Sequence, residues 1–149
     1  MISIPHNYAD WADVLDILRE KTDDAEVLQA MQQGTIAWQT GVAERFAARL
    51  IDTVNERMNK ASEKFQKDIS RAGGSESALI GALLSLRKEM SFLYQVMDIQ
   101  ALPEKDREHY KGLVRSQADQ MQKSLEDSAK RDRTGKLSSI IRNHKVNNF

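Results

Sequence analysis

The sequence predicts an all-α protein: an antiparallel helical bundle of three long helices, with two short N-terminal helices and a basic C-terminal tail. Two observations carry that expectation. The apolar residues Leu79, Leu83, Leu86, Met90, Leu93 and Met97 recur at steps of four, three, four, three and four, a coiled-coil-like seam along one helix face. The 149 residues also include only two prolines and seven glycines, so little interrupts long helices. A chain of this length buries a core of its own, and no internal repeat or low-complexity tract divides it. Residues 1–133 are read as the bundle domain and 134–149 as the tail.

Asn7 followed by Asp10 marks the first helix start, with an acid near the positive end of the helix dipole. Trp11, Val14, Leu15 and Leu18 then make one apolar stripe to about Thr22. Asp23 with Glu26 resembles a capping box for a second helix, which buries Val27, Leu28 and Met31 and stops at Gly34. From about Thr35 to Ala72 the spacing stays helical: Ala43, Ala47, Leu50, Val54, Met58, Ala61, Phe65 and Ile69 share a face. At 1.5 Å per residue that is a rod of about 55 Å. Trp38, Val42 and Phe46 widen its apolar stripe into the core, and Gly41 is a place for a bend.

Gly73-Gly74-Ser75 ends that helix and caps the next, and so short a break predicts an antiparallel hairpin. The seam helix runs from about Ser75 to Ala101. Pro103 stands at the first position of the last long helix, whose apolar face is Tyr110, Val114, Ala118, Met121 and Leu125. The pairs Asp119–Lys123, Glu126–Lys130 and Asp127–Arg131 fall on its solvent side. Beyond Thr134-Gly135, Leu137, Ile140, Ile141 and His144 form a short amphipathic segment.

Composition narrows function by exclusion. There is no cysteine, which removes disulfides and thiolate metal sites and fits a reducing compartment. The start Met1-Ile-Ser-Ile-Pro5-His6 has no basic segment followed by an apolar run, and the most apolar window, Ala78–Leu86, is far short of the roughly 20 residues that span a bilayer. A soluble, cytoplasmic protein without a membrane span is expected. No Gly-rich phosphate loop and no nucleophile elbow occur. His109 lies three residues after Asp106, but a di-metal bundle site needs a second such motif and none exists. Asp13/Asp16 and Asp23/Asp24 sit at helix starts, where dipole complementarity accounts for them. No catalytic residue, metal or cofactor is assigned.

Charge is balanced over the chain but polar along it. Residues 1–30 hold seven acids against Arg19 and Lys21, a net of −5; residues 130–149 hold six bases against Asp132, a net of +5. Such polarity steers partners or pairs the two ends, within one molecule or between copies. The seam helix adds Ile80, Leu84, Phe92, Tyr94, Val96 and Ile99 off its seam, and a helix apolar on so much of its circumference sits centrally in an assembly.

The function expected is therefore that of a non-enzymatic helical interaction module, self-associating or serving as a small subunit, adaptor or chaperone in a larger complex. Its partner-binding residues are Ile80, Leu84, Phe92, Tyr94, Leu137, Ile140 and Ile141. The alternative is a nucleic-acid accessory factor that uses Arg131, Arg133, Lys136, Arg142 and Lys145 of the tail against phosphates.

Overall fold

The structure, a computed structural model, describes residues 2–36 and 41–149. All of its regular structure is helical, with no strand among the described residues: α1 (Tyr8–Glu20), α2 (Asp24–Gln33), α3 (Val42–Ala72), α4 (Glu76–Met97), α5 (Glu104–Ala129) and α6 (Lys136–Asn143). No described helix is long and apolar enough to cross a membrane. The chain divides into two compact units, the first Met1–Arg57 with Gln95–Lys111, the second Met58–Tyr94 with Gly112–Phe149.

In the first unit, α1 begins where its residues satisfy the free N–H groups. The Asn7 side chain accepts from the Asp10 amide at 2.9 Å, and Asp10 Oδ2 accepts in return from the His6 amide at 3.2 Å. Asp23 occupies the cap position of α2, but its side chain makes no capping hydrogen bond, unlike the capping box expected there. Trp11, Val14, Leu15 and Leu18 of α1 are buried with Val27 and Met31 of α2 and Phe46, Leu50 and Val54 of α3. Trp11 meets Phe46 edge to face with ring centroids 4.9 Å apart and donates its indole N–H to the Thr35 carbonyl at 2.9 Å. Gly34 is required beside this ring. A Cβ there would lie 2.6 Å from Trp11 Cζ2 and 2.8 Å from Pro5 Cγ, although the backbone angles suit any residue.

Arg57 is the buried charge of this unit, its side chain only 2 % exposed. The guanidinium grips both oxygens of Asp24, each at 2.9 Å, and donates to the Leu18 carbonyl at 3.2 Å. One α3 side chain thus closes the last turn of α1 and holds the first residue of α2. Arg19 pairs with Glu56 at 2.9 Å and Arg49 with Asp16 at 3.2 Å around it.

Three boundaries differ from the sequence expectation. The third helix starts at Val42 rather than near Thr35, because Gly41 takes φ +84°, a left-handed conformation that opens the helix instead of bending it. Trp38, expected in the core, lies outside the described residues. The seam helix stops at Met97 rather than Ala101; Ile99, Ala101 and Leu102 are buried in the turn that follows. Pro103 then precedes α5 instead of standing inside it, and its carbonyl accepts from the Arg107 amide at 2.9 Å. With the ring nitrogen unable to donate, that carbonyl is what it supplies to the helix.

In the second unit, Gly73 (φ +56°) and Gly74 (φ +88°) turn the chain, and Ser75 Oγ caps α4 by accepting from the Ala78 amide at 3.2 Å. Leu83, Leu86, Met90 and Leu93 of the seam are buried here, as are Phe65, Val114 and Ala118. Leu79 is half-buried. Lys64, Asp68, Arg71 and Ala72 of α3 share one shallow hollow with Ala78, Gly81, Ala82 and Ser85 of α4. Phe65 and Leu86 share another with Gln117, Met121 and Ser124 of α5.

Candidate functional site

The second unit carries an open concavity, and it is built from the end of the chain. Asp132 organises the turn after α5. Its Oδ1 accepts from the Thr134 amide at 3.2 Å and the Thr134 hydroxyl at 2.9 Å, and its Oδ2 accepts from the Leu137 amide at 3.0 Å. These donors, first the Leu137 amide and then Thr134, hold the Asp132 carboxyl below the ordinary carboxylate range, with Lys136 adding to the effect against some desolvation. Gly135, at φ +73°, then launches α6. A carboxylate placed one turn ahead of a helix satisfies an N–H that would otherwise be unpaired.

α6 is closed as deliberately. The His144 amide donates to the carbonyls of Ile140 and Ile141, and His144 Nδ1 lies 2.8 Å from the Ile140 carbonyl. A carbonyl only accepts, so Nδ1 carries the proton. Beyond it, the Val146 amide donates to Oε1 of the buried Gln122 at 3.0 Å, and Asn147 Nδ2 donates to Asp119 at 2.8 Å. Arg115 donates to the Asn147 carbonyl at 2.8 Å and to the Phe149 backbone oxygen. Its guanidinium lies over the Phe149 ring at 4.1 Å and the Tyr94 ring at 5.0 Å. Asp119 and Glu126, expected to serve Lys123 and Lys130 on an exposed face, here engage Asn147 and Gln122.

Docked in this way, α6 walls one side of an open groove of about 450 Å³. Its apolar floor is Phe65 and Ile69 of α3, Leu79 of α4, Leu125 of α5, and Leu137, Ile140 and Ile141 of α6. Gln66, Ser75, Glu76, Ser128, Thr134 and Lys136 stand among the polar residues that line it. The volume falls in the range of 300–1,000 Å³ usual for binding clefts. Its charged lining groups are already committed: Lys136 pairs with Glu76 at 3.2 Å, and Asp132 is saturated by its turn. What the groove offers a ligand is apolar surface interspersed with polar groups.

Three of the residues expected to bind a partner, Leu137, Ile140 and Ile141, come together here. Ile140 and Ile141 are buried against their own unit, and Leu137 is half-buried. Ile80 and Phe92 are half-buried, Leu84 is exposed, and none of the three lines the groove. Tyr94 packs edge to face against Phe149, centroids 5.6 Å apart. Of the basic residues, Arg131, Arg133, Lys136, Arg142 and Lys145 are all exposed. Phe65, Ile69, Leu79 and Leu125 were legible only as core positions. Their sequence signal is proximity to the Gly73-Gly74 break and to the end of α5, where a bundle runs out of neighbours.

Among the described residues no group of three or more His, Asp or Glu is placed to hold a metal ion, and His109 is exposed in the second turn of α5. Comparison with protein-family models, with curated proteins and with solved structures finds no match to this chain.

Proposed function

We propose that this protein is a non-enzymatic helical interaction module that takes apolar side chains of a protein partner into the groove beside α6, as a self-associating protein or as a small subunit, adaptor or chaperone. The observation that carries the reading is the apolar floor of Phe65, Ile69, Leu79 and Leu125, which α6 walls but leaves open to solvent. An open cleft of this kind suits side chains projecting from a partner helix. The hollow shared by α3 64–72 and α4 78–85, on either side of the Gly73-Gly74 turn, fits an antiparallel arrangement of these two helix segments. In such an arrangement the groove is the open end of a bundle.

Nucleic acid is the weaker reading. Phe149, the aromatic residue of the basic tail, lies under the Arg115 guanidinium and meets Tyr94 edge to face, so it is not presented for base stacking.

Gln66 and Ser128 line the groove and are exposed, so tryptophan at either site fills it without disturbing the core. The test is light scattering on wild type, Gln66→Trp and Ser128→Trp, each alone and after addition to an extract of the source cells. Wild type is expected as dimers or larger species, or in a fixed ratio with one other protein, and both tryptophan variants as free monomers. A wild type that stays monomeric in both settings, or variants that assemble equally well, overturns the reading.

A further inference from the structure

α6 is itself an occupant of the apolar surface that forms the groove. Leu137, Ile140 and Ile141 lie at i, i+3 and i+4 on one face of it, while Lys136, Ser139, Arg142 and Asn143 are exposed. Ile140 and Ile141 line the groove and are only 8 % and 2 % exposed, so the surface they cover adjoins the open floor of Phe65, Ile69, Leu79 and Leu125. A short amphipathic helix with this spacing therefore fits the second unit, and the chain supplies the example.

The groups that hold the segment after α6 lie outside the groove. Arg115, Asp119 and Gln122 of α5 clasp Val146, Asn147 and Phe149, and none of the three lines it. Within α6, Ser138 Oγ reaches the Ala129 carbonyl at 3.4 Å, and Lys136 meets Glu76 with both side chains largely in solvent. On its other side α6 carries its own helix start. Asp132 and Thr134 accept from the amides of Leu137 and Lys136, belong to the same segment and move with it. Lys130 and Arg131, both exposed, join that segment to α5. Restraint and recognition are thus built from different residues.

Resting on the interaction reading above, we propose that α6 is a displaceable occupant in cis, and that the groove's partner is an amphipathic helix with the apolar spacing of Leu137, Ile140 and Ile141, which takes the place of α6 on the second unit. The α5 clasps then set how readily the site opens. A partner that needs the open form binds more weakly in proportion to the fraction of chains that are open, so loosening a clasp tightens binding. A clasp that served the fold alone would leave binding unchanged or weaken it.

The probe is a synthetic peptide of residues 132–143, which contains α6 and its start but none of the clasped residues. Its binding to the full chain is read by fluorescence anisotropy of labelled peptide. Amide exchange of the chain's own α6 is then followed in excess unlabelled peptide. Arg115→Gln and Gln122→Ala, each of which loosens one clasp, are expected to tighten binding by about threefold or more. A peptide carrying Ile140→Ser/Ile141→Ser is expected to bind about tenfold more weakly or worse. In the wild type, the amides of Ser139 and His144, which pair within α6, are expected to exchange faster when peptide is bound. That measurement needs no variant, so it decides the matter even where a substituted chain fails to fold. Absence of binding, folded clasp variants that bind no more tightly than wild type, or α6 exchange indifferent to bound peptide overturns the proposal. In the last case the peptide lies beside α6, and the groove reading survives without displacement. It survives equally if no peptide binds but Gln66→Trp still dissolves a complex that wild type forms in extract.

Discussion

The first unit finishes its interior and the second does not. In the first, Trp11, Leu15, Leu18, Met31, Phe46 and Leu50 are sealed from solvent, and the buried cation Arg57 is answered by a carboxylate and a carbonyl. In the second, Ile69, Leu79, Leu125 and Leu137 stay half-buried around a groove, and the last segment is held by side chains clasping backbone groups. Each fully buried Leu or Phe contributes about 1.5–3 kcal/mol, whereas a hydrogen bond nets about 0.5–1.5. Stability in the first unit therefore comes mainly from burial. The end of the second combines the burial of Ile140, Ile141 and Val146 with polar clasps at Gln122 and Arg115, beside apolar groups that stay half-buried.

Removing Trp11 tests the contrast hardest. Trp11→Ala deletes a fully buried ring, its edge-to-face contact with Phe46 and its hydrogen bond to Thr35. A loss of about 3–5 kcal/mol is expected in thermal or denaturant unfolding. Amide exchange then decides whether the units are energetically distinct. Leu137 and Val146 should keep most of their protection, while equal loss throughout the chain would mean that one cooperative transition governs both units.

Arg57→Ala comes next, at about 2–3 kcal/mol, because it strips Asp24 of both its 2.9 Å bonds and removes one of the donors to the Leu18 carbonyl, which keeps the Lys21 amide. Asp24 retains partial access to water, which keeps the loss below that of a fully buried orphan charge. Urea titration of the single variant beside Arg57→Ala/Asp24→Ala measures the coupling. Additive losses would show that the pair contributes nothing beyond packing.

Helix periodicity anticipated the all-helical class of the described residues. The steps of three and four from Leu79 to Met97 correctly marked Leu83, Leu86, Met90, Leu93 and Met97 as buried, because an apolar stripe must be covered wherever it lies. Arg57 was not legible, since a lone arginine on an apolar face reads like any solvated charge until α1 and α2 bring it a carbonyl and a carboxylate. Gln122 and Arg115 escaped notice for the same reason: their partners lie 24 to 34 residues away. The groove assembles from the ends of four helices, and Leu137, Ile140 and Ile141 signalled only one wall of it.

Gln122→Ala sharpens the contrast from the other side. It leaves the Val146 amide unpaired inside the fold and releases Glu126, at a cost of about 1–2 kcal/mol to docking of the last segment. The readout is local: faster exchange at Val146 and earlier proteolysis after residue 143, with the Trp11 emission spectrum, read in a Trp38→Phe background, unchanged. An altered Trp11 signal would place Gln122 in the stability of the first unit instead.

The smallest effect is a pH response confined to α6. Asp132 has a folded pKa below its ordinary value near 3.8, so its ionised form is the one that the turn favours. The stability it adds is fully present above that ordinary value and fades as pH falls through the lower folded value. Between neutral pH and about pH 5 the protection of the Leu137 amide should stay constant, and it should decline only on further acidification. Asp132→Asn keeps one oxygen to accept from Leu137 or Thr134 but loses the charge, so it should show the weakened state already at neutral pH and remove the acid step. If the step persists in Asp132→Asn, another carboxylate controls the turn.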